Sequence, residues 1–136
     1  MASYWLLKTE PGAYSYDDLE RDKKTVWDGV MNPVALKNIR SMRKGDRVFI
    51  YHTGAQKAVV GIAEVSGSPY PDPKANDPKI MVVEIRSIKR LRSPVSLSSI
   101  KSSRSFAGFE LVRLPRLSVM PVSTPHWNLI LAMGGK

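Results

Sequence analysis

Four of the chain's ten prolines, Pro69, Pro71, Pro73 and Pro78, fall in the stretch from Ser66 to Pro78. Proline fixes its own backbone angle, has no amide hydrogen for a ladder, and pushes the preceding residue out of the helical region. The stretch is therefore expected to be a loop, and a loop of that length within a compact domain is usually functional. Two further prolines open helices. Asn32 before Pro33 and Thr124 before Pro125 each join a capping side chain to a residue suited to the first turn.

The regular elements lie between these marks. Tyr4 to Lys8 reads as a strand ended by Pro11 and Gly12. Ser15 followed by Asp18 opens a short helix to Asp22, with Tyr14 placed to staple onto Leu19. Thr25 to Trp27 is extended and stopped by Asp28 and Gly29. From Asn32 a helix carries Leu36, Ile39 and Met42 inward and ends at Gly45. Arg47 to His52 and Ala58 to Val65 form a hairpin, Lys79 to Leu91 a long strand, Ser96 caps a short helix through Ile100, and Leu117 to Val122 is a strand. Ser105 to Val112 fits neither period. The last helix turns Trp127, Ile130 and Leu131 inward and closes at Gly134.

Strands and helices do not alternate regularly, which argues against a doubly wound parallel sheet. The expected class is α+β: a mixed, mainly antiparallel curved sheet or pseudo-barrel with short peripheral helices, in one domain over residues 1–136. Hydrophobic residues make up 43% of the chain, enough for a conventional core. No cysteine occurs, which removes disulfides, thiolate catalysis and the common zinc patterns together. The start, MASYWLLKTEP, lacks a basic leader and meets Lys8 too early for a membrane span, so a cytoplasmic address, or a nuclear one in a eukaryote, is expected.

Charge gives the first functional pointer. Lys and Arg number 21 against 12 Asp and Glu, a net +9. Arg86, Lys89, Arg90, Arg92, Arg113 and Arg116 fall in a run whose sole acid is Glu110, and Lys37, Arg40, Arg43, Lys44 and Arg47 form a second cluster. Such clusters suit a polyanion, through phosphate neutralisation and counterion release.

Catalytic signatures are missing: there is no G-x-S-x-G, no Walker loop and no G-x-G-x-x-G. His52 and His126 lie far apart without metal-ligand spacing, and Asp72 and Asp77 lack the regularity of a calcium loop. Lys8 and Glu10 flank Thr9 where the first strand ends. With His52 they would be the acid–base groups of an alternative reading, a small nucleotide- or RNA-acting enzyme. A protein-interaction module with a basic face is a third reading. Trp5 and Trp127 sit among aliphatic residues as core; Trp27, in a turn, is either core or the flat wall that an unstacked base needs.

Several stretches, in order, together resemble the EVE-domain family: "YWLLKTEP", "YSYDDL", "VWDGVMN", "KGDRVFIYHTG", "VVGIAEV", "YPDP", "RSPVSLSSIK" and "LVRLPRLSVMPV". The resemblance implies a PUA-like fold, related to YTH, ASCH and SRA-like domains, that is non-enzymatic and holds one modified base, such as a modified cytosine in DNA. No cofactor is implied, and a monomer is expected. Carried over by residue, Trp27 would be the stacking wall, bordered by Lys8, Thr9 and Glu10. Asn32 would meet the base edge, Tyr51 and His52 would close another side, and Leu117, Ser118 and Val119 would form the floor. Arg86, Lys89, Arg90, Arg92, Arg113 and Arg116 would meet phosphates of DNA or RNA. The chain departs from the family pattern at Met31, where many members carry Arg, and at Pro33 and Val34. Tyr70 is the candidate for a second aromatic wall.

Overall fold

The computed structural model describes residues 3–135. The sheet runs in the order β2 (Lys24–Trp27), β6 (Met81–Ser96), β4 (Ala58–Val65), β3 (Arg47–His52), β1 (Tyr4–Thr9) and β7 (Val119–Val122), and β5 (Tyr70–Pro71) pairs with β6 off this path. Among the described residues only β1 and β3 run parallel; the other pairs are antiparallel. The helices α1 (Tyr16–Asp22), α2 (Pro33–Ser41), α3 (Leu97–Lys101), α4 (Glu110–Arg113) and α5 (Thr124–Met133) are short. This is the α+β, mixed and curved sheet of a PUA-like fold.

Local signals set most of the helix starts. Ser15 accepts from the Asp18 amide while the Asp18 carboxylate accepts from the Ser15 amide, a complete capping box. Asn32 Oδ1 accepts from the amides of Val34 and Ala35. Ser96 caps α3 through the Ser99 amide.

Several expectations are corrected. The proline stretch is not wholly a loop, because Tyr70 and Pro71 pair with Val82 and Met81. Helix α2 stops at Ser41, and Gly45 lies beyond it in the turn before β3, with φ +97°. The cap of α5 is Ser123, whose hydroxyl accepts from the His126 amide, so Thr124 is already inside the helix and Pro125 still precedes the first ladder bond. Leu131 is only partly buried. Strand β6 extends to Ser96; Arg90 opposes Gly61 and Val95 opposes Val59, so Pro94 falls in a bulge where no ladder donor is needed.

Buried polar groups are tied down. Asp46 accepts from the amides of Ser3 and Arg43 and from the Trp5 indole nitrogen. Trp127 stacks between Tyr4 and Phe49, with centroids 4.4 and 3.7 Å away. Trp5 and Trp127 are both core. The Tyr16 ring lies so close over β4 that a Cβ at Gly61 would approach its Cε1 to 2.4 Å. The Tyr16 hydroxyl donates to the Ile62 carbonyl at 2.6 Å, and burial pushes its pKa up to about 12.

Three strands, β6, β4 and β3, separate β2 from β1, yet Trp27 of β2 and Lys8 of β1 line one cavity. The sheet must therefore curl until these distant strands face each other. Helix α2 packs across the open side against β7 and β6. It is fixed there by Asn38 donating to the Val119 carbonyl at 2.7 Å and Arg40 donating to that of Lys79.

Candidate functional site

The cavity at this meeting point has a volume of about 610 Å³. Its walls come from the end of β1 (Lys8, Thr9), the turn after it (Glu10, Ala13, Tyr14), the segment from Thr25 to Met31, and Ser118 ahead of β7. Trp27 is 8% exposed, so most of its ring is core, and it also borders the cavity. The two readings of this residue are therefore compatible. Tyr14 meets Trp27 almost at right angles, and its hydroxyl donates to Asp22 at the end of α1.

The polar lining is held by local bonds. Lys8 Nζ donates to the Pro115 carbonyl at 2.8 Å and lies 5.7 Å from the Tyr51 ring centroid. Burial lowers the Lys8 pKa below the usual lysine value. The Thr9 hydroxyl donates to the Tyr14 carbonyl, bracing the turn that carries Tyr14. Glu10 Oε1 accepts from the Gly12 amide, and its carboxylate also approaches Gly54. The lining thus offers an ammonium, the hydroxyls of Thr25 and Ser118, and the carboxylates of Glu10 and Asp28.

Of the ten residues expected to form the pocket, the structure brings together Trp27, Lys8, Thr9, Glu10 and Ser118. It places the others off the lining. Asn32 stands one residue beyond Met31 with its Oδ1 committed to the α2 cap. Tyr51 and His52 are buried; His52 Nε2 accepts from the Tyr16 amide at 3.0 Å, which leaves Nδ1 to donate to Gln56 Oε1 at 2.7 Å. Leu117 and Val119 are buried beside Ser118, and Val119 gives its carbonyl to Asn38. Tyr70 is not on the lining. Ala13, Tyr14, Thr25, Val26, Asp28, Gly29 and Val30 are wall residues that the sequence reading missed, although the contiguity of Thr25 to Val30 with Trp27 was a usable signal.

The proposed phosphate contacts divide as well. Arg86 is paired with Glu64 at 2.5 Å, and Arg90 with Asp17 and Glu20 while lying over the Tyr16 ring. Arg113 lies 3.9 Å from Glu110. Lys89 is exposed on β6. Arg92 and Arg116 are exposed and, among the described residues, form no ion pair. Arg116 sits between Pro115, which holds Lys8, and Ser118 of the lining. Among the described residues no three His, Cys, Asp or Glu side chains are grouped to hold a metal, and no helix is long and apolar enough to cross a membrane.

A curled mixed sheet with a cavity between its second strand and the end of its first is the frame of a PUA-like fold. The EVE domain pattern matches residues 3–133, and the chain belongs to that family. It is 26% identical over 167 residues to thymocyte nuclear protein 1 of Rattus norvegicus, covering 98% of this chain and 74% of the relative. The solved structure of Rpa0253 from Rhodopseudomonas palustris is 39% identical with a TM-score of 0.93, covering 98% of this chain and 94% of that one. Human THYN1, solved in complex with DNA containing 5-methylcytosine, superposes with a TM-score of 0.90 at 24% identity, covering 99% of both chains.

Proposed function

We propose that this domain binds DNA and admits a single unstacked, modified base, a modified cytosine foremost, into the cavity beside Trp27. The observation that carries the reading is the juxtaposition of that ring with Lys8, Thr9, Glu10 and Ser118 in one cavity. Two further facts support it: the net charge of +9, and the similarity to human THYN1, whose partner in its solved structure is 5-methylcytosine-containing DNA.

The chemistry of the lining fits a cytosine edge. Cytosine presents an amino donor at N4, which a carboxylate such as Glu10 or Asp28 accepts, beside acceptor atoms that an ammonium or hydroxyl serves. The ring of Trp27, steadied by Tyr14, contributes stacking of about 1–3 kcal/mol. A methyl at C5 adds apolar area against Val26 and Val30 in the same lining. Arg116 and Arg92 meet phosphates, giving affinity without sequence preference.

The role is binding and not turnover. His52, one of the three side chains the enzymatic reading requires, is turned into the core and bonded at both ring nitrogens. With both ring nitrogens taken by these bonds, it is not free to serve as an acid–base partner of Lys8 and Glu10. The test is titration of oligonucleotides with and without 5-methylcytosine against the wild type and Trp27→Leu, which keeps an apolar side chain and removes the π face, with circular dichroism checking the fold. Preference for the modified ligand in the wild type and its loss in the variant are expected. Equal binding of both ligands by both proteins would overturn the reading.

A further inference from the structure

We propose that Met31 is a wedge: it enters the base stack of duplex DNA at the position vacated by the base that occupies the cavity. This rests on the base-binding reading above and adds to it the means by which a duplex is opened. The carrying observation is the contrast between two neighbours. Val30 is buried, whereas Met31, the next residue, is 68% exposed at the mouth of the cavity.

The segment that presents Met31 is anchored at both ends. Trp27 is paired with Val83 in the sheet, Gly29 turns the chain with φ +76°, and Asn32 is locked into the α2 cap. The side chain of Val30 fastens the middle of this turn to the core. Met31 therefore projects from a supported backbone. Val26 and Val34, 40% and 53% exposed, flank it in sequence on β2 and on the first turn of α2.

An apolar tip beside a polar-lined cavity, on a protein of net charge +9, has a chemical counterpart in duplex DNA. Its phosphates answer the charge and the gap left by an extruded base answers the tip. Taking a base out of the stack exposes the faces of its two neighbours, and an inserted apolar side chain covers them again. Methionine suits the task because its unbranched, polarizable side chain adapts to an irregular gap. A single strand has no continuous stack to restore, so the wedge matters only for the duplex.

That difference defines the experiment. Wild type, Met31→Ala and Met31→Leu are titrated with a 5-methylcytosine oligonucleotide as a single strand and as a duplex, with unmodified controls in both forms. Met31→Ala is expected to lose roughly tenfold in affinity for the modified duplex. Its loss for the modified single strand, where only a cavity-wall contact is removed, should be several-fold smaller, and Met31→Leu should restore the duplex value. Equal loss in both forms, or no loss in either, overturns the wedge while a wild-type preference for the modified base leaves the base-binding reading standing. A wild type that ignores the modification in both forms overturns both. Met31 is largely exposed, so neither variant threatens the fold.

Discussion

The rings of Tyr14 and Trp27 meet edge-on, with centroids 6.2 Å apart and planes at 86°. Tyr14 is in turn fixed by its hydroxyl on Asp22 and by its carbonyl on Thr9. The wall of the cavity is thus positioned by the start and end of α1 and the end of β1 together. Replacing Tyr14 by Phe removes the bonds of its hydroxyl to Asp22 and Thr25 but keeps the ring, and should change stability by less than about 1 kcal/mol with base selectivity intact. Tyr14→Ala removes the ring pair itself, about 0.5–1.5 kcal/mol beyond the lost burial, and frees Trp27 to reorient. Weaker discrimination between modified and unmodified oligonucleotides is then expected, read by parallel titrations and thermal unfolding.

His52 gives the opposite pattern. Its Nε2 is the acceptor for the buried Tyr16 amide, so His52→Ala leaves that donor without a partner and should cost about 1–3 kcal/mol of stability. Affinity for DNA, measured well below the unfolding temperature, should be unchanged. A variant as stable as the wild type but defective in binding would place His52 in the ligand's path instead.

Lys8 links the site to pH. Its folded-state pKa is lowered by burial, so at neutral pH the charged side chain counts against folding. As pH rises from the lowered value toward the ordinary 10.5, the folded protein releases the proton before the unfolded chain does, and the penalty fades. The stability of the wild type relative to Lys8→Met should therefore improve between neutral pH and about pH 10. Denaturant unfolding across that range checks the sign; a relative decline would show that Lys8 gains more from its contacts than it loses by burial.

The basic residues should separate in a salt series. Arg116, without an ion pair among the described residues, is a direct phosphate candidate, and Arg116→Ala should reduce the salt dependence of log affinity by about one. Arg90 is already held by Asp17 and Glu20, and a phosphate would have to displace them. Arg90→Ala should alter the slope far less. Equal slopes for both variants would contradict this division.

What the sequence made legible was local. Ser15, Asn32 and Ser96 carry their caps within a few residues of the amides they serve, and the β3–β4 hairpin joins neighbours in the chain. The site was legible only where it is contiguous, at Lys8 to Glu10 and around Trp27. What was not legible depends on non-local pairing. The parallel β1–β3 pair and the curl that brings β2 to the end of β1 leave no periodic mark in either strand. Tyr51 and His52 looked like pocket residues because they end a strand, yet the first turn of α1 closes over that end and the Tyr16 amide takes His52. Ser118 was legible only as part of a segment, since its flanking residues Leu117 and Val119 face the core.

The central claim is that the ligand's base enters beside Trp27, and amide and indole chemical-shift mapping tests it most directly. A 5-methylcytosine oligonucleotide titrated into isotope-labelled protein should shift Lys8, Thr9, Gly29, Ser118 and the Trp27 indole, with smaller shifts from the unmodified oligonucleotide. Another large cleft, about 720 Å³ between Tyr4, Arg47, Lys89, Trp127 and Leu131, should stay unperturbed. Shifts confined to that second cleft, with Trp27 silent, would contradict the account.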